Sequence, residues 1–358
     1  MTHDHGAGCG STSRRRALAA LAAAGASLLL PRGLAAQPAP PASRLIDTHH
    51  HYYPPEIIGA WQDYAARHHQ GPLGQAVAHW TPSSSLDEMD KNGVASSILS
   101  LASIPGVWFG QDAPAMLRTA RLSNEFAAKM AQDHPGRYGR FACLPMPDVD
   151  GSLKEIEYAF DTLKADGINI STSFGDRWPG DPAFRPVFEE LDRRKAIVFL
   201  HPYAPDCCAG LDTGVPAGIL EFPYDTGRAI TSLLYSGTLA RLRGIRWLFC
   251  HGGGVLPMVA GRIEFFTRFR KDLKEIAPDG VAAELQRLHY DTANAAWPAS
   301  LAALLKMVPP SQVLFGSDFP YLPTGLQADE LDKGGLSADT LAAIRRGNAI
   351  RLIPRLGA

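Results

Sequence analysis

Leu45-Ile46-Asp47-Thr48-His49-His50-His51 joins the apolar opening of a strand to a run of three histidines. Side chains two apart on a strand share a face, so His49 and His51 point one way and His50 the other. Two imidazoles converging at a strand's end make half of a divalent-metal site, because neutral imidazole nitrogen is a favoured ligand for zinc and its neighbours. A solvated loop also shows three histidines by chance, so the remaining ligands, and a fold that brings them here, must come from elsewhere in the chain.

Beyond this stretch, short apolar runs alternate with segments of helical periodicity, the pattern of a parallel sheet wrapped by helices. Strands are predicted at residues 45–49, 95–101, 140–144, 167–170, 196–201, 246–250, 288–291 and 313–315. Helices are predicted at 115–133, 153–164, 182–194, 226–239, 255–269 and 300–307, with a closing helix or two between 337 and 352. Eight such repeats in about 310 residues fit an α/β fold, a (β/α)8 TIM barrel. Two connections, 52–90 and 202–224, are longer than a barrel needs, so long loop insertions are expected after strands 1 and 5. Both follow a strand's C-terminal end, the face on which barrel sites lie. Tyr52, Tyr53, Trp61, Trp108, Tyr203 and Phe222 are available there to line a pocket, although each taken singly has an ordinary packing role.

The chain of 358 residues is 46% hydrophobic with a net charge of −1, and its basic residues are scattered. Nothing in that balance points to nucleic acid or a membrane surface, which leaves a small molecule as the expected partner. The first 36 residues read separately. Ser13-Arg14-Arg15-Arg16 precedes a short apolar run and a small-residue cleavage site at Gly33-Leu34-Ala35-Ala36, the order of a twin-arginine export signal. The expected organisation is a signal peptide at 1–36, a Pro-rich linker at 37–44 and a single barrel domain at 45–358, with the mature protein periplasmic and without a membrane span. Export in folded form suits a protein that takes its metal where the cell controls which metal is on offer. Cys143 and Cys250 sit in apolar runs and read as core thiols. Cys207-Cys208 reads as a loop pair that an oxidising compartment could oxidise.

Metal-binding residue types recur where strands end. His201 closes the run 196–201, His251 follows the run 247–250, and Asp318 follows Val313-Leu314-Phe315-Gly316-Ser317. In a barrel all these ends ring one cavity, so residues distant in sequence meet. Individually, His201 before a proline, His251 before three glycines and Asp318 in a turn all have local structural explanations. Four strand ends carrying such residues together imply a site.

The set Asp47-x-His49-x-His51, His201, His251-Gly252-Gly253-Gly254 and Gly316-Ser317-Asp318-Phe319-Pro320 resembles the amidohydrolase superfamily, in its metal-dependent decarboxylase branch. That branch includes aminocarboxymuconate-semialdehyde decarboxylase and γ-resorcylate decarboxylase. Text around His201-Pro202, Cys207-Cys208 and Leu220-Glu221-Phe222-Pro223-Tyr224-Asp225-Thr226 is similar to 6-methylsalicylate decarboxylase-like proteins. The resemblance implies that His49, His51, His201 and Asp318 bind one divalent ion, zinc first with manganese or cobalt as alternatives. It implies catalytic roles for His251 and Asp318, with Asp318 as proton donor. Arg262 falls where relatives place an arginine that binds a substrate carboxylate, in some of them across a subunit interface; a surface ion pair is the ordinary alternative. Trp108 and Phe222 are the aromatic candidates for substrate contact, and the relatives imply a homodimer or homotetramer. Two-metal hydrolases of the superfamily carry a lysine at the end of strand 4, where this chain reads Ile168-Asn169-Ile170-Ser171-Thr172-Ser173, so one metal is expected.

The implied reaction is non-oxidative loss of CO2 from an aromatic or semialdehyde carboxylate, a salicylate-like acid above all. Such a reaction needs a cation to orient the carboxylate and an acid to protonate the ring carbon. The same residues would also serve a single-metal hydrolase of a lactone or amide, and the sequence leaves that alternative open.

Overall fold

Parallel strands β1 (Leu45–His51), β2 (Val94–Ser100), β3 (Tyr138–Cys143), β4 (Gly167–Ser171), β5 (Ile197–His201), β6 (Arg246–Phe249), β7 (His289–Asp291) and β8 (Val313–Leu314) follow one another in chain order across one sheet. The structure is a computed structural model describing residues 45–67, 73–102, 109–208 and 214–357. The expected signal peptide, the linker and Trp108 lie outside the described residues. The ring is closed by the segment after β8. Thr48 N–H donates to Phe315 O at 2.9 Å, Asp318 N–H to His49 O at 2.9 Å, and His51 N–H to Phe319 O at 2.8 Å.

Alternation along the strands sorts side chains into two layers. Ile46, Ile98, Phe141, Phe199, Leu248 and Leu314 fill the barrel, and Leu352, Ile353 and Leu356 from the C-terminal segment pack with them. The opposite face carries Leu99, Val198, Leu200, Trp247 and Phe249 into a larger core shared with helix residues such as Phe188, Leu191 and Leu233. Each such side chain is buried almost completely and contributes roughly 1.5–3 kcal/mol, so the scaffold under the strand ends is stiff. Among the described residues no helix is long and apolar enough to cross a membrane.

The eight-strand barrel is as expected, with two differences that matter for the site. β1 runs two residues further than predicted, because His51 pairs with Ser100 on one side and with the Phe319 segment on the other. The insertion after β1 is largely helical, with helices Pro55–Arg67, Gln75–Ala78 and Pro82–Lys91. Its prolines read as breakers in sequence, yet Pro55 and Pro82 open helices, where a missing N–H costs nothing. Thr81 and Ser84 complete a capping box ahead of the third helix. After β5 the described residues of the insertion hold one short 3-10 turn, Asp206–Cys208, ahead of the helix Glu221–Tyr235.

Candidate metal centre

His49, His51, His201 and Asp318 each bring a ligand atom to one place, all four atoms lying within 4.8 Å of one another and all four residues buried. β1 supplies two, β5 one, and the turn after β8 the fourth. Asp47 ties these elements together: its Oδ1 accepts from the backbone N–H of His49 at 3.1 Å and of Ser317 at 2.9 Å. Its Oδ2 accepts from Ser317 Oγ at 2.6 Å and from His50 Nδ1 at 3.0 Å. His50 thus faces away from the centre as predicted, its Nε2 2.8 Å from Ser85 Oγ. Gly316 is required for closeness, since a Cβ there would lie 2.8 Å from His49 Cβ. Asp318 itself adopts φ +65°, which turns its carboxylate back toward β1.

The hydrogen bonds at the rear of each imidazole decide what its front presents. His49 Nδ1 donates to Asp291 Oδ2 at 2.9 Å, His51 Nδ1 to Ser100 O at 3.1 Å and His201 Nδ1 to Pro202 O at 3.0 Å. Each partner is an oxygen with no proton to give, so all three rings carry hydrogen on Nδ1 and turn a lone pair forward on Nε2. The fronts then collide electrostatically. His49 Nε2 and His51 Nε2 are 3.0 Å apart, and Asp318 Oδ1 lies 3.3 Å from the first and 3.1 Å from the second. His201 Nε2 is buried with no hydrogen-bond partner among the described residues. Four acceptors with no donor among them fit one divalent cation, and three nitrogens with one oxygen is an ordinary donor set for such an ion.

Titration of the bare chain tells the same story. Burial works against charge on His49, but the Asp291 and Asp318 carboxylates outweigh it and raise its pKa to about 10, so a proton occupies the cation's place. Burial lowers His51, and burial together with the neighbouring imidazoles drives His201 well below the ordinary range. Asp318 is pushed up by burial, yet the charge on His49 and its contacts with His251, His49 and His51 hold it well below the usual carboxylate range.

His251 stands beside the cluster, its Nε2 3.4 Å from Asp318 Oδ2 and without a hydrogen bond among the described residues. The three glycines behind it all have positive φ, and a Cβ on Gly254 would come within 2.2 Å of Pro223 O. That run lets the chain turn under the ring. Two supporting residues went unrecognised in the sequence. Asp291 binds His49 with one oxygen and accepts from the backbone N–H of His251 at 3.0 Å with the other. It closes β7 as His201 closes β5, so the strand-end rule applied to every strand finds it. Asn294 donates to Asp318 Oδ2 at 2.8 Å from a φ of +53°, a loop geometry that no local pattern announces.

The cluster opens into a cavity of about 860 Å3. Trp61, Tyr203 and Phe222 line it as predicted, whereas Tyr52 and Tyr53 are buried in the core. Arg262 is exposed, its guanidinium 5.1 Å from the Phe266 ring centre; among the described residues of one chain it has no ion-pair partner, and it does not line the cavity. Cys143 and Cys250 are buried as expected; Cys207 and Cys208 are free thiols, their sulfurs 3.3 Å apart.

Fold and ligand cluster together define a (β/α)8 barrel protein with a metal-binding site at the C-terminal ends of its strands. The chain belongs to the amidohydrolase family, whose model matches residues 46–355. It is 34% identical to a 6-methylsalicylic acid decarboxylase from Penicillium expansum, the match covering 87% of this chain and 96% of that one. A 2-amino-3-carboxymuconate-6-semialdehyde decarboxylase from Dictyostelium discoideum is 27% identical over 68% of this chain and 67% of its own. In fold, the chain is similar to a 5-carboxyvanillate decarboxylase from Novosphingobium aromaticivorans, solved with manganese, at a TM-score of 0.79 and 20% identity over 87% of this chain and 96% of that one.

Proposed function

We propose that the protein is a metal-dependent carboxy-lyase that removes CO2, without oxidation, from an aromatic acid of the salicylate type, 6-methylsalicylate being the favoured substrate. The observation that carries this reading is the set of four converging acceptors, with His251 beside them, opening on a cavity with largely apolar walls that is roomy enough for an aromatic acid. The 34% identity to a 6-methylsalicylic acid decarboxylase supports the choice of acid.

His49, His51, His201 and Asp318 would hold the ion. When bound, a divalent cation supplies positive charge for a carboxylate and an adjacent phenol oxygen, orienting them and steadying charge that moves into the ring. The chain's part is proton management. A new C–H bond must form at the carboxylated ring carbon before the C–C bond breaks; its electron pair then returns to the ring and CO2 leaves. Asp318 is ionised at rest, so it donates only after taking up a proton. His251, 3.4 Å from Asp318 Oδ2, is placed to pass that proton on. Asn294 keeps the same oxygen in place while it waits. Trp61, Tyr203 and Phe222 give the ring apolar surfaces to lie against.

Zinc is the first choice of ion for this donor set, and the manganese in the Novosphingobium relative makes manganese the necessary comparison. The test combines metal analysis with CO2 release from ortho-hydroxybenzoates by protein reloaded with zinc or with manganese. CO2 release should vanish with a chelator and fall at least about 100-fold in Asp318→Asn and in His251→Ala. Activity retained in both variants would remove the catalytic assignment. Ring opening of a lactone without any CO2 would point to hydrolysis instead.

A further inference from the structure

Two cysteines sit side by side in the loop that follows the metal ligand His201. Cys207 is exposed, Cys208 is buried, and their sulfurs are 3.3 Å apart. Cys208 closes the short 3-10 turn Asp206–Cys208, its N–H donating to Pro205 O at 3.0 Å, and its sulfur accepts from Arg228 Nη2 at 3.7 Å. The same loop serves the site. Pro202 O accepts from His201 Nδ1 at 3.0 Å, Pro202 and Tyr203 line the cavity, and only residues 204–206 separate them from Cys207.

We propose that Cys207 and Cys208 are a site of reversible oxidation, closed to a vicinal disulfide by exchange with a low-molecular-weight disulfide, and that closure weakens the metal centre through the loop they share with His201. The proposal stands on the metal centre alone and needs no particular substrate. Exposure makes Cys207 the attacking sulfur: its thiolate breaks the S–S bond of the small disulfide, keeps one half as a mixed disulfide and releases the other as a thiolate. Cys208 holds its proton at first, because contact with the Cys207 sulfur, and then burial, push it up to about 11. Once Cys207 is capped its charge is gone, and the Arg228 guanidinium favours the Cys208 thiolate. That thiolate, its proton given to water, attacks the Cys207 sulfur and expels the second small thiolate. Two thiols are oxidised, and one disulfide is reduced to two thiols. Adjacent Cα atoms stand about 3.8 Å apart, less than the roughly 4.4–6.8 Å that an unstrained disulfide spans, so the ring is strained and readily reduced. The strain opens the turn at Cys208 and shifts Pro202 O, the oxygen that orients His201.

The experiment treats the full chain with oxidised glutathione, then with dithiothreitol. Mass, thiol content and, once the reagents are removed, manganese affinity by competition with a chelator are followed at each stage. Manganese is the probe because it prefers nitrogen and oxygen ligands to thiols. The parent protein should lose the mass of two hydrogens at this pair and keep no glutathione there, with the bond mapped by digestion to Cys207 and Cys208 and so separated from Cys9. Cys143 and Cys250 are buried away from the reagent. In Cys208→Ser the glutathione should stay on Cys207, and in Cys207→Ser none should be taken up at this pair. Oxidised parent protein should bind manganese about tenfold more weakly, a loss that dithiothreitol reverses and that Cys207→Ser does not show. A lasting glutathione adduct on the parent pair, or two thiols left unreacted, overturns the oxidation site. Manganese affinity equal in the two states overturns its link to His201. CO2 release enters neither measurement, so absence of decarboxylase activity would sink only the function proposed above.

Discussion

His49 Nε2 and His51 Nε2 face one another across 3.0 Å, each ring having already committed its Nδ1 proton to an oxygen behind it. Two lone pairs at that distance repel unless positive charge lies between them. In the bare chain a proton takes the place; in the loaded protein a divalent cation does. The acceptors behind the rings are therefore as much a part of the metal centre as the rings themselves.

Asp291 tests that dependence. Asp291→Ala would leave the buried Nδ1 of His49 without its acceptor and free the ring to rotate, so the affinity for zinc or manganese should fall about 10–100-fold. Competition with a chelator of known affinity measures it. Unchanged affinity would mean that packing alone orients His49.

Proton and metal compete for His49, whose bare-chain pKa of about 10 lies well above neutral pH. Metal binding near pH 7.5 should release about one proton, and apparent affinity should rise up to tenfold per pH unit until pH approaches 10. Calorimetry in buffers of different ionisation enthalpy counts the proton. The sign for stability is opposite: in the metal-free protein, His49 contributes stability fully below its ordinary value of 6.5, and the contribution is lost as pH rises through about 10.

His289, at the start of β7 and away from the centre, governs the acid side. Burial lowers it to about 4, although its Nδ1 donates to Trp247 O at 3.3 Å. A lowered histidine favours the fold above 6.5 and opposes it as pH falls toward 4, by roughly 2–3 kcal/mol. Urea unfolding at pH 7.5 and 4.5 should show that loss in the parent protein and a smaller one in His289→Gln. Equal losses would place the acid sensitivity elsewhere.

Asn294 holds the oxygen of Asp318 that faces His251. Asn294→Gly removes the amide while tolerating the positive φ, so kcat should fall about tenfold, the worth of one hydrogen bond to a charged group, with metal content unchanged. A rise in KM alone would assign Asn294 to substrate binding.

Gly254 carries a steric prediction. In Gly254→Ala the new Cβ would sit 2.2 Å from Pro223 O, and the backbone there has φ +62°. The segment carrying His251 must shift, so CO2 release should fall by a factor of ten or more and the melting temperature should drop by several degrees. Parent-like values in both assays would show that the loop absorbs the methyl group without moving the ring.

The sequence by itself determined the alternation that makes a barrel, the shared face of His49 and His51, and the strand-end positions of His201, His251 and Asp318. These follow from periodicities of two and 3.6 residues and from the rule that barrel strands end at one mouth, all of which operate locally. It also excluded a lysine at the end of β4. Only the tertiary structure decided which groups stand behind the ligands. His49 meets Asp291 across 242 positions of sequence, Asp47 grips Ser317 across 270, and Asn294 reaches Asp318 from a left-handed loop residue. It also sent Tyr52 and Tyr53 into the core, folded the first insertion into helices and left Arg262 on the surface. Such choices depend on how a closed ring brings distant ends together and on which side chain then fits, and no local pattern encodes that.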